Sequence, residues 1–500
     1  MAFDNRGLRD FGHRLGACIC ILVLAAGSTS FAQADLDSLD SWVRQMQPDP
    51  FIRCGESTWI EALDDTRERW LGKTDLEKVV LTNKLLQTLE DSHTAVSAYD
   101  WIWDVEHAFG TLPIRWYIEG GALWTLDSGL PGLPEGVRVL SLNGLQAESV
   151  VRAAKDLAPM EGLSTTATSR VGAHNVTPYV LGITEKDTLT VTWVDPCTTL
   201  PKTDSWPSLR KKEARKAWKS ISRRQPVVLW TYPDGSHLFK RDAKRLAKSP
   251  KATSPISGVT TLHIASFSRG SWRNFERRLR LGFEHVREDR GPLVINLRGN
   301  PGGQSYRMEL LWNHLSNATT HLPYALVAKQ SGFTAQINGR HYKRLRKRWV
   351  DKHLETSAEA RYIHTMATIP VGETDTLFFP KKHPKTSRFR GPVALVIDGE
   401  SASASVSFAG AFQDQKRGPV LGESCMGPAN GTMGNPYLRR LPHSGIFVSL
   451  STAVYMAKPV KDWAEGIPIQ PDILIPDLWR NDAALQREID EWIQTLPQFR

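Results

Sequence analysis

Two apolar runs, Leu293–Leu297 with Asn296 as its one polar residue and the unbroken Val393–Ile397, each end in a turn of small and polar residues and lead into a helical pattern. The first passes through Arg298-Gly-Asn-Pro-Gly-Gly303 to a face of Met308, Leu311, Trp312 and Leu315. The second passes through Asp398-Gly-Glu-Ser-Ala-Ser403 to a face of Ala404, Phe408 and Phe412. A short run that is wholly or almost wholly apolar reads as a buried strand, and spacing of three and four reads as a helix face. Val259–Ala265, Val420–Gly422 and Ile446–Thr452 continue the strands, and Phe275, Leu279, Phe283 and Val286 mark another helix. Strands alternating with helices predict a layered core, so the fold class is α/β, or α+β multidomain when the whole chain is counted.

The 500 residues, 41% of them apolar, suffice for several domains. Residues 1–34 carry arginines at 6, 9 and 14, an apolar run Leu15–Ala26, and small residues at Ser30, Ala32 and Ala34. That is the pattern of a cleaved signal peptide and predicts an exported protein of the periplasm or cell envelope; an uncleaved anchor is the alternative. Residues 35–110 read as a helical segment, in which Leu81, Leu85 and Leu89 precede a polar loop at Glu90-Asp-Ser-His-Thr94. Residues 111–200 read as a small β-rich module, 201–255 as a basic insert or linker around a short strand candidate at Val227–Trp230, 256–480 as the catalytic core and 481–500 as a closing helix.

The formal charge of +10 is spread over Lys211–Arg224, Lys240–Lys251, Arg340–Lys352 and Lys381–Arg390. Behind an export signal these runs suit solvated faces and weak contact with an anionic envelope surface, and nucleic acid is not the expected partner. Of the five cysteines, Cys54, Cys197 and Cys425 follow the signal. A Cys54–Cys197 bridge is open in an oxidising compartment, and Cys425 reads as a free structural thiol, with a cysteine nucleophile as the alternative.

Ser403 stands between a buried strand and a helix. There, unpaired N–H groups and the helix dipole favour the negative charge that acyl transfer places on a carbonyl oxygen. Serine is also a common N-cap, so the residue alone does not decide between catalysis and capping. The glycines at 299, 302 and 303 allow backbone N–H groups to approach a ligand, with a tight turn as the alternative. No Lys-Ser/Thr follows them, so the segment is no phosphate-binding P-loop. No Gly-x-Ser-x-Gly surrounds Ser403, which disfavours an ordinary esterase fold.

Four ordered stretches together resemble the C-terminal-processing peptidase family, in its tail-specific and tricorn-core branches. They are Leu297-Arg-Gly-Asn-Pro-Gly-Gly303, Ser401-Ala-Ser-Ala-Ser405 with Gly410–Asp414, Gly422-Glu423, and Glu465-Gly-Ile-Pro-Ile-Gln-Pro-Asp472, spanning roughly 256 to 475. The resemblance implies a crotonase-like core, a loosely PDZ-like module, and a peptide or protein substrate cleaved through an acyl-enzyme, without metal or cofactor. It implies Ser403 as nucleophile and the N–H groups of Gly303 and Ala404 as the oxyanion hole. The tail-specific branch would place a lysine base at position 428, which is Pro428 here, leaving Lys458 or Lys461 to serve. The tricorn-like branch implies His93 as base, with Ser92 and Glu465 behind it. Imidazole titrates near pH ~6.5 and can both take and return a proton. Asn296 stands where an aspartate is usual, and Asp414 reads as a structural helix-end residue. A peptide-binding relative without catalysis and a hydrolase of another envelope ester or amide are the rival readings.

Overall fold

The computed structural model describes residues 21–221, 226–246, 256–289, 291–316, 321–332, 335, 358–380, 388–428, 431–456 and 466–497. Its centre is a six-stranded sheet in the order Ile473–Leu474, Val420–Gly422, Val393–Ile397, Leu293–Asn296, Thr260–Ile264, Val228–Thr231. Neighbouring strands are parallel except the last pair. Parallel strands bury both faces, and side chains alternate between the two. Leu293, Ile295, Leu395 and Ile397 pack on one side against the helices Trp272–Asp289, Ser305–Leu315 and Ala404–Asp414. Val294, Ala394 and Val396 pack on the other against Ile256, Val259, Leu485 and Ile489, the last two from the closing helix Asp482–Thr495. The layered α/β reading of the two apolar runs therefore holds.

A four-stranded antiparallel sheet, in the order Thr374–Pro380, His321–Lys329, Ala453–Met456, Thr432–Gly434, flanks this core. The N-terminal helices Ile21–Met46, Glu56–Trp70 and Asp75–Gln87 share an apolar core with Leu441, Ile446, Val448 and Leu450. Ala95–Val96 pairs with Phe447–Leu450, so sequence-distant ends of the chain close on one another. The first of these helices runs across the expected signal boundary at residue 34. Asp35, just past it, is buried, and its carboxylate accepts the N–H groups of His443 and Ser444 at 2.8 and 2.7 Å. No helix among the described residues is long and apolar enough to cross a membrane.

The β-rich module is an antiparallel sheet running Ile114–Glu119, Ala122–Ser128, Arg138–Leu142, Thr188–Val194, Pro201–Pro207, backed by the helices Ala147–Asp156 and Thr165–Thr184. The stretch expected to be insert or linker from 201 holds more order than that reading gave it. Pro201–Pro207 completes the module's sheet and Val228–Thr231 is the edge strand of the central one. Proline and lysine obscured the first, because a strand at a sheet edge tolerates a missing N–H and an exposed face; the second matches the strand expected at Val227–Trp230 and is buried throughout. The module is latched to the core by Arg170, which lies 3.6 Å over the Tyr117 ring and 3.2 Å from the Glu423 carboxylate. Cys54, Cys197 and Cys425 are all free thiols, so the bridge left open between the first two is not formed. Cys425 is buried, which pushes its thiol up to about 12, and it donates to the Gly427 carbonyl at 3.2 Å.

Candidate active site

The strands 293–296 and 393–397 both end at the same edge of the central sheet, where open α/β sheets place their ligands. The two turns that follow are pinned to each other by Asn300. Its Nδ2 donates to the Ile264 carbonyl at 2.9 Å, and its Oδ1 accepts the Gly302 N–H at 2.9 Å. Its own carbonyl accepts the Ala402 N–H and the Ser405 hydroxyl, both at 3.0 Å. The Ser401 hydroxyl reaches back to the Leu297 carbonyl at 2.9 Å. The small residues at 401 to 405 are thus the polar pins and close-packing positions of one joint.

Ser403 caps the helix Ala404–Asp414 with φ 52° and ψ −117°, a left-handed conformation that costs a side-chain-bearing residue of order 1–3 kcal/mol. This is the sharp strand-to-helix turn of a nucleophile elbow, reached without the usual glycines. Gly302, at φ +83°, makes it possible: a Cβ there would lie 2.4 Å from the Ala402 carbonyl, 2.7 Å from Ser403 Cβ and 2.8 Å from the Ala404 nitrogen. The Ala404 N–H opens its helix and so lies outside the helical ladder. Phe267 N–H donates to the Gly302 carbonyl at 2.9 Å and Gln304 N–H to the Phe267 carbonyl at 3.2 Å. In such a parallel bridge the residue between, Gly303, turns its own N–H to the other side.

His93 comes from the other end of the chain. Its helix starts at a capping box in which Thr74 and Glu77 bond reciprocally, drawing Glu77 down to about 2, and it ends at Gln87. The loop beyond places His93, Ser403, Gly303 and Ala404 on one cleft of about 270 Å³, with Pro301, Met308, Gly434, Asn435, Pro436 and Tyr455 as further walls. Ser92 Oγ stands 3.5 Å from His93 Nδ1. The structure therefore brings together four residues singled out from sequence and sets Ser92 directly behind them. Glu465, Lys458 and Lys461 lie outside the described residues.

Asn296 does not line the cleft; its Oδ1 accepts from the Arg298 N–H and side chain at 3.1 and 3.2 Å, and Arg298 continues to Asp482 at 2.7 Å. Asparagine at 296 therefore takes nothing from the cleft. Asp414 ends the serine's helix and is exposed, as a helix-end residue would be.

Behind Ser92 lies a group that sequence reasoning missed. Glu161 Oε2 accepts the Ser92 N–H at 3.0 Å and also its hydroxyl. Glu161 Oε1 pairs with Arg53 at 3.3 Å, the two side chains only 3% and 1% exposed. Burial pushes the Glu161 carboxyl up; Arg53 opposes that, Asp91 adds to it, and His93 and Ser92 oppose it. Asp91, also buried, accepts the His93 N–H at 2.9 Å and Gln47 Nε2 at 3.3 Å. Donor atoms of Asp91, His93 and Glu161 lie within 4.8 Å of one another, close enough to raise the question of a cation. Arg53, Gln47 and the amides of Ser92 and His93 already aim donors at those oxygens, which is the environment of paired carboxylates, not of metal ligands. In sequence, Glu161 is a single acid in Pro159-Met-Glu-Gly162 with no periodic or motif signal. Asn300, by contrast, sat within a noted motif and was passed over.

A serine at a strained strand-to-helix turn and a histidine share one cleft with Gly303 and Ala404, groups that acyl transfer can use. Residues 258–475, the stretch that holds most of the central sheet, match the model of peptidase family S41. Among solved structures, mature CPAF complexed with lactacystin is similar at 12% identity and a TM-score of 0.62, over 94% of this chain and 99% of that one. A mutant form of CPAF is similar at 14% identity and a TM-score of 0.62, over 94% and 97%. A photosystem II D1 C-terminal processing protease is more distant, at 14% identity and a TM-score of 0.42 over 89% and 93%. At these identities the likeness is one of fold. No curated protein sequence matches the chain.

Proposed function

We propose that this protein is an exported serine endopeptidase that hydrolyses peptide bonds through an acyl-enzyme on Ser403, with His93 as general base. The observation that carries the reading is the strained elbow at Ser403, set on one cleft with His93, Gly303 and Ala404. Backbone strain of this kind persists where the surroundings enforce it and the site uses it. In the reaction, His93 takes the Ser403 proton as Oγ attacks the substrate carbonyl. The N–H groups of Ala404 and Gly303 hold the resulting oxyanion. Collapse expels the amine, which leaves with the proton from His93, and water then releases the acyl group by the same steps in reverse roles.

The histidine mechanism of the tricorn-like branch is favoured over the serine-lysine one. Position 428 holds proline, and a histidine already occupies the serine's cleft. The test is labelling of the purified protein with a fluorophosphonate, with the modified residue read by mass spectrometry. Modification at Ser403, abolished in Ser403→Ala and slowed at least about 100-fold in His93→Ala, is the expected result. A folded wild-type protein that resists labelling would favour a peptide-binding relative without catalysis. Labelling indifferent to His93 would favour a lysine base. Lactacystin, bound in the CPAF structure named above, is a second probe of the same serine.

A further inference from the structure

Ser92 has one hydroxyl proton, and Glu161 takes it. The Ser92 amide donates to the same carboxylate oxygen, at 3.0 Å, so the acceptor is fixed from two directions. What Ser92 Oγ then offers His93 Nδ1, 3.5 Å away, is a lone pair. A histidine facing an acceptor at Nδ1 carries its proton there and leaves Nε2 bare, the form a general base needs. We propose that Glu161 is an acidic positioning residue of this site, selecting the Nδ1–H tautomer of His93 through Ser92 and stabilising the imidazolium that forms when His93 takes the Ser403 proton. This deepens the serine-histidine reading above and rests on it.

The chain is shaped around this carboxylate. A Cβ on Gly427 would lie 2.7 Å from Glu161 Cγ, so the residue before Pro428 is cut back to admit it. Gly162 N–H donates to the Glu90 carbonyl at 2.9 Å, and Leu163 N–H to the Gly466 carbonyl at 3.0 Å. Gly162 and Gly466 touch backbone to backbone: a Cβ on Gly162 would lie 2.2 Å from the Gly466 oxygen. Arg53 spans the same joint, donating to the Glu90 carbonyl and, at 2.7 Å, to the Gly431 carbonyl, while its guanidinium faces Glu161. Among the described residues, the charged and titratable groups acting on the relay are Arg53 from the turn after the first helix, Asp91 and His93 from the loop, and Glu161 itself. No proton needs to reach Glu161: during the reaction Nδ1–H donates to Ser92 Oγ, whose hydroxyl continues to donate to the carboxylate.

The experiment measures the fluorophosphonate labelling rate of Ser403 against pH in the full-length wild type, Glu161→Gln, Glu161→Asp and Ser92→Ala, with thermal unfolding as the check on folding. Glu161→Gln keeps an acceptor for Ser92 but removes the charge. It is expected to slow labelling about 100-fold and to move the acid limb of the profile to lower pH, because the imidazolium loses its anion. Glu161→Asp restores part of the rate. Nitrogen-15 spectra of the histidines, with His93 assigned by its loss in His93→Gln, are expected to show the Nδ1–H tautomer in wild type and a mixture in Glu161→Gln.

A folded Glu161→Gln protein that labels within threefold of wild type, or loses rate with an unmoved acid limb and unchanged tautomer, overturns the proposal. If Glu161→Gln does not fold, Ser92→Ala carries the same expectation for limb and tautomer, and an unmoved limb there overturns it equally. Failure of wild type to label at Ser403 would instead remove the underlying peptidase reading.

Discussion

The two halves of the candidate site are built in opposite ways. The nucleophile half lies on two adjacent parallel strands and the turns that follow them, each turn contiguous in sequence and joined by Asn300. The base half is assembled from Arg53, the Glu90–His93 loop, Glu161–Gly162, Gly427 and Gly466, five short pieces drawn from across the chain. A half made by secondary structure can be rigid before any substrate arrives. A half made by tertiary contacts depends on buried polar bonds that form only when the whole molecule closes.

The contrast predicts that a single methyl group hurts the nucleophile half more. Gly302→Ala adds a Cβ in a left-handed position against Ser403 and Ala404 backbone. It should slow Ser403 labelling about 1,000-fold or more, since it displaces the nucleophile and an oxyanion donor together. A labelling rate near wild type would mean that the elbow is not the working geometry.

Asn300→Ala strips an acceptor from the Gly302 N–H and a donor from the Ile264 carbonyl in a fully buried place. It should cost about 2–4 kcal/mol and lower the unfolding midpoint by about 5–10 °C, read by calorimetry. If stability is unchanged, the two turns are held by their strands alone.

Gly427→Ala pushes on the Glu161 side chain, which can shift in part. It should reduce labelling ten- to a hundredfold with little change in stability, sharpening the contrast with Gly302→Ala. An equal loss from both glycines would erase the distinction drawn between the halves.

The smallest effect concerns pH. Burial, and then the neighbouring Glu400 charge, raise Asp398 to about 6, while the Gly299 N–H draws it down. The folded protein therefore holds a proton that the unfolded chain releases near pH ~3.9, so this contribution is full at low pH and is lost as pH rises through about 6. Stability of wild type minus that of Asp398→Asn should fall by about 1 kcal/mol per pH unit across that window, measured by urea unfolding. The difference is the informative quantity, because His263 and His314, depressed by burial to about 3 and about 4, act oppositely: their contribution is lost as pH falls below the usual histidine value. A flat difference would show Asp398 to be ionised at no cost.

What was legible follows from the same contrast. The runs Leu293–Leu297 and Val393–Ile397, their turns and helices, and the placing of Ser403 at a helix start could be read because period, glycine and helix start are local signals. His93 was reached only because a resemblance tied its loop to the distant serine, and nothing within Glu90–Thr94 says where the loop goes. Pro201–Pro207 reads as linker because an edge strand needs neither continuous apolar residues nor every N–H, whereas the apolar Val228–Thr231 is legible as a strand but not as a member of the central sheet.

The sequence by itself determined the layered α/β core and the strand-turn-helix units that present Ser403, Gly303 and Ala404, because hydrophobic period and turn chemistry act between near neighbours. Only the tertiary structure decided that Ser403 sits in a strained elbow, that His93 shares its cleft and that Glu161 and Arg53 close behind Ser92. Those features depend on distances between residues as far apart as Arg53 and Gly431. A buried carboxylate finds its donors only when folding has removed the water that would otherwise satisfy it.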